Sequence, residues 1–311
     1  MRYALCEWEI FLMKSGKKVI TRRDFIRVGS CLTMGSLMGL PLIGSASAKK
    51  SVKSRVVLIR DKNVVYGAGQ LSETVLQNML DQAVTALMHT QDPVSAWKQL
   101  VTPADIVGIK TNVWHYLPTP EPLEDAIRNR LLDAGVKKEN ISADDRGVLH
   151  DSVFKRSTAL INVRPMRTHH WSGLGTLLKN YIMFVPHPWM YHGNSCEKLG
   201  AIWQLPHVQG KTRLNILVML TPLFHGTGPH HFSRRHVWPY SGLIVSRDPV
   251  AADATGARII QAKRNSFFGT EKPISPPALH IAAASSRFGL GNSRADQIQL
   301  IRLGWEEDIL I

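Results

Sequence analysis

Short apolar runs rich in Val, Ile and Leu recur along the chain, and stretches of helical period separate them. Val56-Val-Leu-Ile-Arg60, Asp105-Ile-Val-Gly-Ile-Lys-Thr-Asn112, Ser157 to Val163, Leu214-Asn-Ile-Leu-Val-Met-Leu220 and Tyr240 to Ser246 read as strands. Ile141 to Asp145 and Ala295 to Arg302 add two more. Between the first two, Glu73 to Thr90 sets Val75, Met79, Ala83, Ala86 and Leu87 at near-helical spacing behind Ser72 as a cap. Pro93 to Leu100, Pro120 to Ala134 (closed by Gly135) and Pro276 to Phe288 also read as helices. Asp248 can cap another that starts at Pro249 and runs to about Lys263. Alternation of this kind, without internal repeats, predicts a single α/β domain with a mostly parallel, mixed sheet flanked by helices.

The first 48 residues stand outside that pattern. Thr21-Arg-Arg-Asp-Phe-Ile-Arg27 reads as a twin-arginine export signal, Val28 to Ala48 carries no charge, and Ala46-Ser-Ala48 suits cleavage before Lys49. The uncharged stretch is rich in Gly and Ser and only modestly apolar, which argues against a permanent anchor. The expected organisation is a signal over 1–48, a linker over 49–55, the α/β domain over 56–305 and a tail over 306–311. The expected address is the periplasm, with the twin-arginine translocase as partner during export. Met13-Lys-Ser-Gly-Lys-Lys makes a more ordinary basic beginning for such a signal than Met1. Sequencing of unprocessed precursor is expected to start at Met13.

Removing the signal takes away seven of the 38 Lys and Arg and three of the 24 Asp and Glu, which leaves a net charge of +10. A basic balance favours anionic small molecules and a weak contact with anionic membrane surfaces. No interleaved aromatic and basic motif supports nucleic-acid binding. Of the three cysteines only Cys196 follows the signal, so no intramolecular disulfide and no Cys-ligated iron–sulfur cluster is expected.

The chemistry concentrates in Arg167-Thr-His-His-Trp-Ser-Gly-Leu-Gly-Thr-Leu-Leu-Lys-Asn180. An apolar strand delivers His169 and His170 to a glycine turn, and the segment that follows carries Lys179 and Asn180. A strand that turns through glycines into a helix offers backbone N–H groups to an anion. His169 can be a base or a metal ligand, and a desolvated Lys179 can bind an anion or form an imine. Lys110 and Asn112 close a strand where ligand groups collect in open α/β sheets. A lysine there needs a ligand or an acid to answer it, and Asp248 and Asp253 are the candidates considered. Asp248 can equally be a plain helix cap. His225, His230, His231 and His236 cluster without a ligand-spaced motif, and no serine-hydrolase elbow, Walker loop or full dinucleotide fingerprint is present.

Taken in order, several stretches resemble one family. Val107-Gly-Ile-Lys-Thr-Asn112, Arg167-Thr-His169, Thr176-Leu-Leu-Lys-Asn180, Gly226-Thr-Gly-Pro229, Asp248-Pro-Val-Ala-Ala-Asp253 and Gly289-Leu-Gly-Asn292 resemble elements of the bacterial domain of unknown function 362 family. The resemblance spans about Val56 to Trp305 and implies a fold and a site, with no settled reaction. Arg167 stands where the family has lysine, which keeps the charge and changes donor geometry. The acidic residue often found before the glycine–proline turn is absent from Leu217-Val-Met-Leu-Thr-Pro222. If that acid helps to hold a divalent metal in the family, the expectation here is weak binding or the use of His225 instead, with Asp248 a separate candidate for a hard cation. The ferredoxin-type cysteine motifs of many relatives are missing too.

The expected function is an exported enzyme with a cleft at the carboxyl ends of the strands. His169 and Lys179 would be its catalytic groups, with Lys110, Asn112, Asn180, Gly173, Gly175 and Gly228 around an anionic substrate or a metal-bound cofactor. The alternative is a non-catalytic cofactor carrier or solute-binding protein.

Overall fold

The computed structural model describes residues 53–226 and 231–311. The export signal, its cleavage site, the start at Met13, and Gly228 and His230 lie outside those residues.

The chain builds β1 (Ser54–Arg60), a small hairpin of β2 (Val65–Tyr66) and β3 (Gln70–Leu71), then α1 (Glu73–Met88) and α2 (Pro93–Lys98). Next come β4 (Val107–Lys110), α3 (Glu121–Asp133), β5 (Ile141–Asp144) and α4 (Ser152–Arg156). The middle of the chain forms β6 (Ala159–His169), β7 (Gly173–Gly175) and α5 (Leu177–Asn180), followed by short helical turns, mostly 3-10, up to Gln204. It ends with β8 (Thr212–Leu223), β9 (Gly242–Ser246), α6 (Pro249–Phe268), α7 (Leu279–Ser286) and β10 (Ile298–Gly304). The main sheet has the order β10-β1-β9-β8-β6-β4-β5, with β7 paired to β6. All its pairings are parallel except those of β9 and β7. The predicted mixed, mostly parallel α/β architecture is what forms.

Side-chain alternation along the strands feeds two cores. Val57, Ile59, Ile161 and Val163 pack on one face with Leu76, Met79 and Leu80 of α1 and Leu123 and Ile127 of α3. Val56, Leu58 and Leu160 pack on the other with Leu177 and Leu178 of α5 and Ile259 and Ile260 of α6. Full burial of each such side chain contributes roughly 1.5–3 kcal/mol. Helix α1 starts at Ser72, whose hydroxyl accepts from the Val75 N–H at 3.4 Å, and ends at His89 in the left-handed region. Its buried Asp81 is met by Arg130 of α3 through two hydrogen bonds.

Several boundaries differ from expectation, most of all around the site. Strand β6 does not stop at Val163 but runs to His169 with every residue buried, because Arg164, Arg167 and His169 in its second half line a polar cavity. The stretch from 173 to 175 forms no strand–turn–helix opening. It returns antiparallel along β6, with Arg167 opposite Gly175 and His169 opposite Gly173. Strand β10 likewise starts later than the sequence pattern suggests, at Ile298.

Candidate functional site

The carboxyl ends of β4 and β5 and the protruding half of β6 enclose a cavity of about 270 Å³. Asn112, Asp145, Arg164, Arg167, His169 and Lys179 line its floor and sides, with Trp114, Trp171 and His192 among its walls. Two arginines three residues apart would point to opposite faces of a regular strand. Here the register of β6 against β8 shifts between Pro165 and Arg167, and this bulge lets Arg164 and Arg167 share the cavity. Pro165, which has no N–H to donate, sits where the ladder is broken. Gly175 makes room for the first arginine, since a Cβ there would lie 2.9 Å from Arg164 Nη2.

Lys110 is answered from within the protein. Its ammonium donates to Asp145, to the Thr111 carbonyl at 2.8 Å and to Asn180 Oδ1 at 3.5 Å. The second oxygen of Asp145 accepts the Val113 N–H at 2.9 Å. Burial pushes Lys110 down to about 8 against the pull of Asp145. Burial would raise Asp145, but the Lys110 charge and hydrogen bond outweigh it and hold the carboxyl below its ordinary value. The acid is therefore Asp145, not Asp248 or Asp253. Sequence reasoning passed over it, although it closes a strand that ends beside Lys110.

Asp253 fills a different role. Its two oxygens accept the N–H groups of Leu177 and Leu178 at 2.9 Å each, so the start of α5 already holds an internal carboxylate. The anion slot expected at that helix start is occupied by the chain itself. Burial pushes the Asp253 carboxyl up to about 7 against hydrogen bonds from Thr176, Leu178 and Leu177 and the charge of Arg164.

The remaining cations have no such answer. Arg164 Nε and both Nε and Nη1 of Arg167 are buried without a hydrogen-bond partner. Burial lowers Arg164 to about 10, with Asp145 and Asp253 opposing. Burial and then Arg164 depress Arg167 well below the arginine range. Its guanidinium lies 4.1 Å from the ring centre of Trp114. Lys179 is 2% exposed. Burial, Arg164 and Arg167 bring it down to about 7, with the Cys196 thiol as the one opposing group. His169 is held far below the ordinary imidazole value by burial and then by Lys179 and both arginines, so it is neutral. The Trp171 N–H donates to His169 Nδ1 at 3.3 Å, which fixes the ring proton on Nε2 and makes the free edge a donor.

Other predicted residues fall elsewhere. Asn180 lines the cavity, but its amide hydrogens go to the Lys110 carbonyl, Asn162 Oδ1 and the Val163 carbonyl at 2.9–3.1 Å. It ties α5 to β4 and β6. Asn180→Ala is expected to cost about 1–3 kcal/mol through the buried groups it strands, read by thermal unfolding; an unchanged midpoint would free Asn180 for a ligand role. Asn112 keeps a buried Oδ1 with no partner, an acceptor facing the same cavity. Gly173 is closed off, because a Cβ there would meet the Pro276 carbonyl at 2.1 Å. Asp248 caps α6, accepting from Val250 and Ala251 at 2.8 and 2.9 Å and from Asn292 at 2.8 Å. It follows the end of antiparallel β9, where Ser246 pairs with Val56 and Asn215, so it sits at the sheet edge opposite the cavity. The cleft drawn from sequence therefore loses Asp248.

His225 lies in a second hollow with Arg264, whose Nη1 is 2.9 Å from Nδ1. Among the described residues no group of three or more His, Cys, Asp or Glu side chains is placed to hold a metal ion. Arg164, Arg167, Arg146, Trp114, Trp171 and His192 also line the cavity and were not among the site residues expected from the sequence. An arginine directly extending a buried apolar run, as Arg164 does, was the available signal.

No curated protein and no solved structure matches the chain. Residues 143–258, from the end of β5 into α6, match the family model described as Domain of unknown function (DUF362), which supports placing this part of the chain in that domain family.

Proposed function

We propose that the cavity binds a small anion, a carboxylate or a phosphate, as the substrate-binding site of an exported enzyme. One observation carries the reading: Arg164, Arg167 and Lys179 line one buried space, while Asp145 is engaged by Lys110. A buried guanidinium without a partner is costly, and an incoming anion supplies the missing acceptor. His169 Nε2–H and the Trp114 indole N–H, also buried without a partner, add neutral donors. The twin-arginine stretch in the sequence supports a periplasmic address; a mature chain starting at Lys49 in the periplasmic fraction tests it.

The test of the clamp is sulfate binding by calorimetry, since sulfate does not titrate near neutrality. An anion favours the ammonium form of Lys179, so binding takes up a proton once the pH exceeds about 7. Affinity is expected to be greatest below that value and to fall by up to about tenfold per pH unit above it. The arginines stay cationic, His169 stays neutral, and His192 titrates only near 4, whereas Asp253, near 7 and coupled to Arg164, and Lys110, near 8, titrate in the same window as Lys179. Lys179→Met should therefore reduce the slope by the share that Lys179 contributes. Absence of sulfate binding at every pH would refute the clamp. Tight binding of an endogenous small molecule by the exported protein, with no turnover, would make it a carrier.

A further inference from the structure

The protein buries two lysines in one region and treats them in opposite ways. Lys110 is locked by three acceptors. Lys179 makes no hydrogen bond among the described residues, and it shares its cavity with Arg164, Arg167, His169 and His192, while His280 and the Cys196 thiol also act on its charge or feel it. The one acid in the cavity lining, Asp145, is paired with Lys110. An amine in such company is easiest to keep uncharged, and an uncharged primary amine is a nucleophile. A ligand that met only the arginines would leave this nitrogen unused; one with a carbonyl beside its carboxylate would engage both.

We propose that Lys179 forms an imine with the carbonyl carbon of a small 2-oxo acid whose carboxylate is held by Arg164 and Arg167. This rests on the anion clamp described above. The Nζ lone pair attacks the carbonyl carbon and a C–N bond forms. The C–O bond then breaks, and the oxygen leaves as water with the two hydrogens that Nζ carried. No oxidant or reductant is required. The unfilled Asn112 Oδ1 offers an acceptor for the hydroxyl of the tetrahedral intermediate, and His169 Nε2–H offers a donor to the departing oxygen. The buried apolar faces of Trp114 and Ile182 line the same cavity beside Lys179.

The experiment uses the full mature chain with pyruvate as probe. Borohydride is added to trap any imine, and the digest is mapped by mass spectrometry while a parallel sample is melted with pyruvate or sulfate. The expected result is a single adduct on Lys179, heavier by pyruvic acid less one oxygen atom, with Lys110 unmodified as an internal reference. Lys179→Arg should keep the stabilisation by pyruvate and lose the adduct. If pyruvate raises the midpoint but no adduct forms on Lys179, or surface lysines are labelled equally, the imine is wrong and the clamp stands. If neither pyruvate nor sulfate raises the midpoint and no adduct forms, both are wrong. The wild-type map decides the matter even should the arginine variant fail to fold.

Discussion

Asp145→Asn is expected to lower the unfolding free energy by about 3–5 kcal/mol, the usual cost of stranding one half of a buried ion pair. For a chain of this size the midpoint should drop on the order of 10 °C. The substitution keeps the shape, and its one remaining oxygen can accept the Val113 N–H; Lys110 then faces an amide NH2, so the loss combines the charge with the hydrogen bond that Asp145 accepts from Lys110. The pH dependence has a definite sign. Asp145 is held below its ordinary value in the folded protein, so its contribution is present above the unfolded carboxylate value and disappears as the pH falls through the folded one. The gap between wild type and variant should therefore close in acid. It should also narrow above about 8, where Lys110 itself gives up its proton. Denaturant unfolding across this range checks both limbs. A variant as stable as wild type at neutral pH would mean that Asp145 is not what balances Lys110.

Arg167→Met is expected to move stability and binding in opposite directions. The guanidinium is buried, repelled by Arg164 and stacked on Trp114, with two of its nitrogens unpartnered. Methionine keeps contact with the indole and removes the uncompensated charge, which should stabilise the ligand-free protein by about 1–2 kcal/mol. Anion affinity should fall by roughly a hundredfold or more, as when one partner of a buried charge pair is truncated. Stability gained where binding is lost marks a side chain kept for its ligand. Thermal unfolding and sulfate titration of the same preparation read the two effects. A variant that melts lower than wild type while binding sulfate normally would make Arg167 a packing residue.

Much of the fold was legible because its strands are buried on both faces and so read as apolar runs. Val56 to Arg60 and Leu214 to Leu220 are of this kind. That signal ends where the site begins. After Val163 the strand carries Arg164, Arg167 and His169 into a polar cavity, with Met166 alone returning to the apolar core, and hydropathy reads the same strand as loop. Pro165 marks the bulge that pairs the arginines, but a proline in sequence looks the same whether it ends a strand or bends one. The role of Lys110 followed from a local rule, that a buried ammonium needs an acid. Its partner did not, because the register of β4 against β5, with Lys110 opposite Asp144, decides which carboxylate comes within reach. The start of α5 misled for the same reason: its anion is Asp253, 75 and 76 residues onward, and no local pattern announces such a distant guest. For Asp248, local grammar was sufficient, since the cap that Pro249 suggests is the one that forms.

The place of β1 bears on how the chain is made. The first strand of the domain lies inside the sheet, between β9 and β10, and both neighbours come from the far end of the sequence. While the ribosome is still translating residues 61–241, β1 has no partner on either edge. Its apolar Val56-Val-Leu-Ile59 must wait, unpaired, for almost the whole chain, a long-range closure of the sort that slows folding and invites aggregation. Chains released before β10 is complete should thus be sticky rather than half-functional, and chaperone demand should peak late in synthesis.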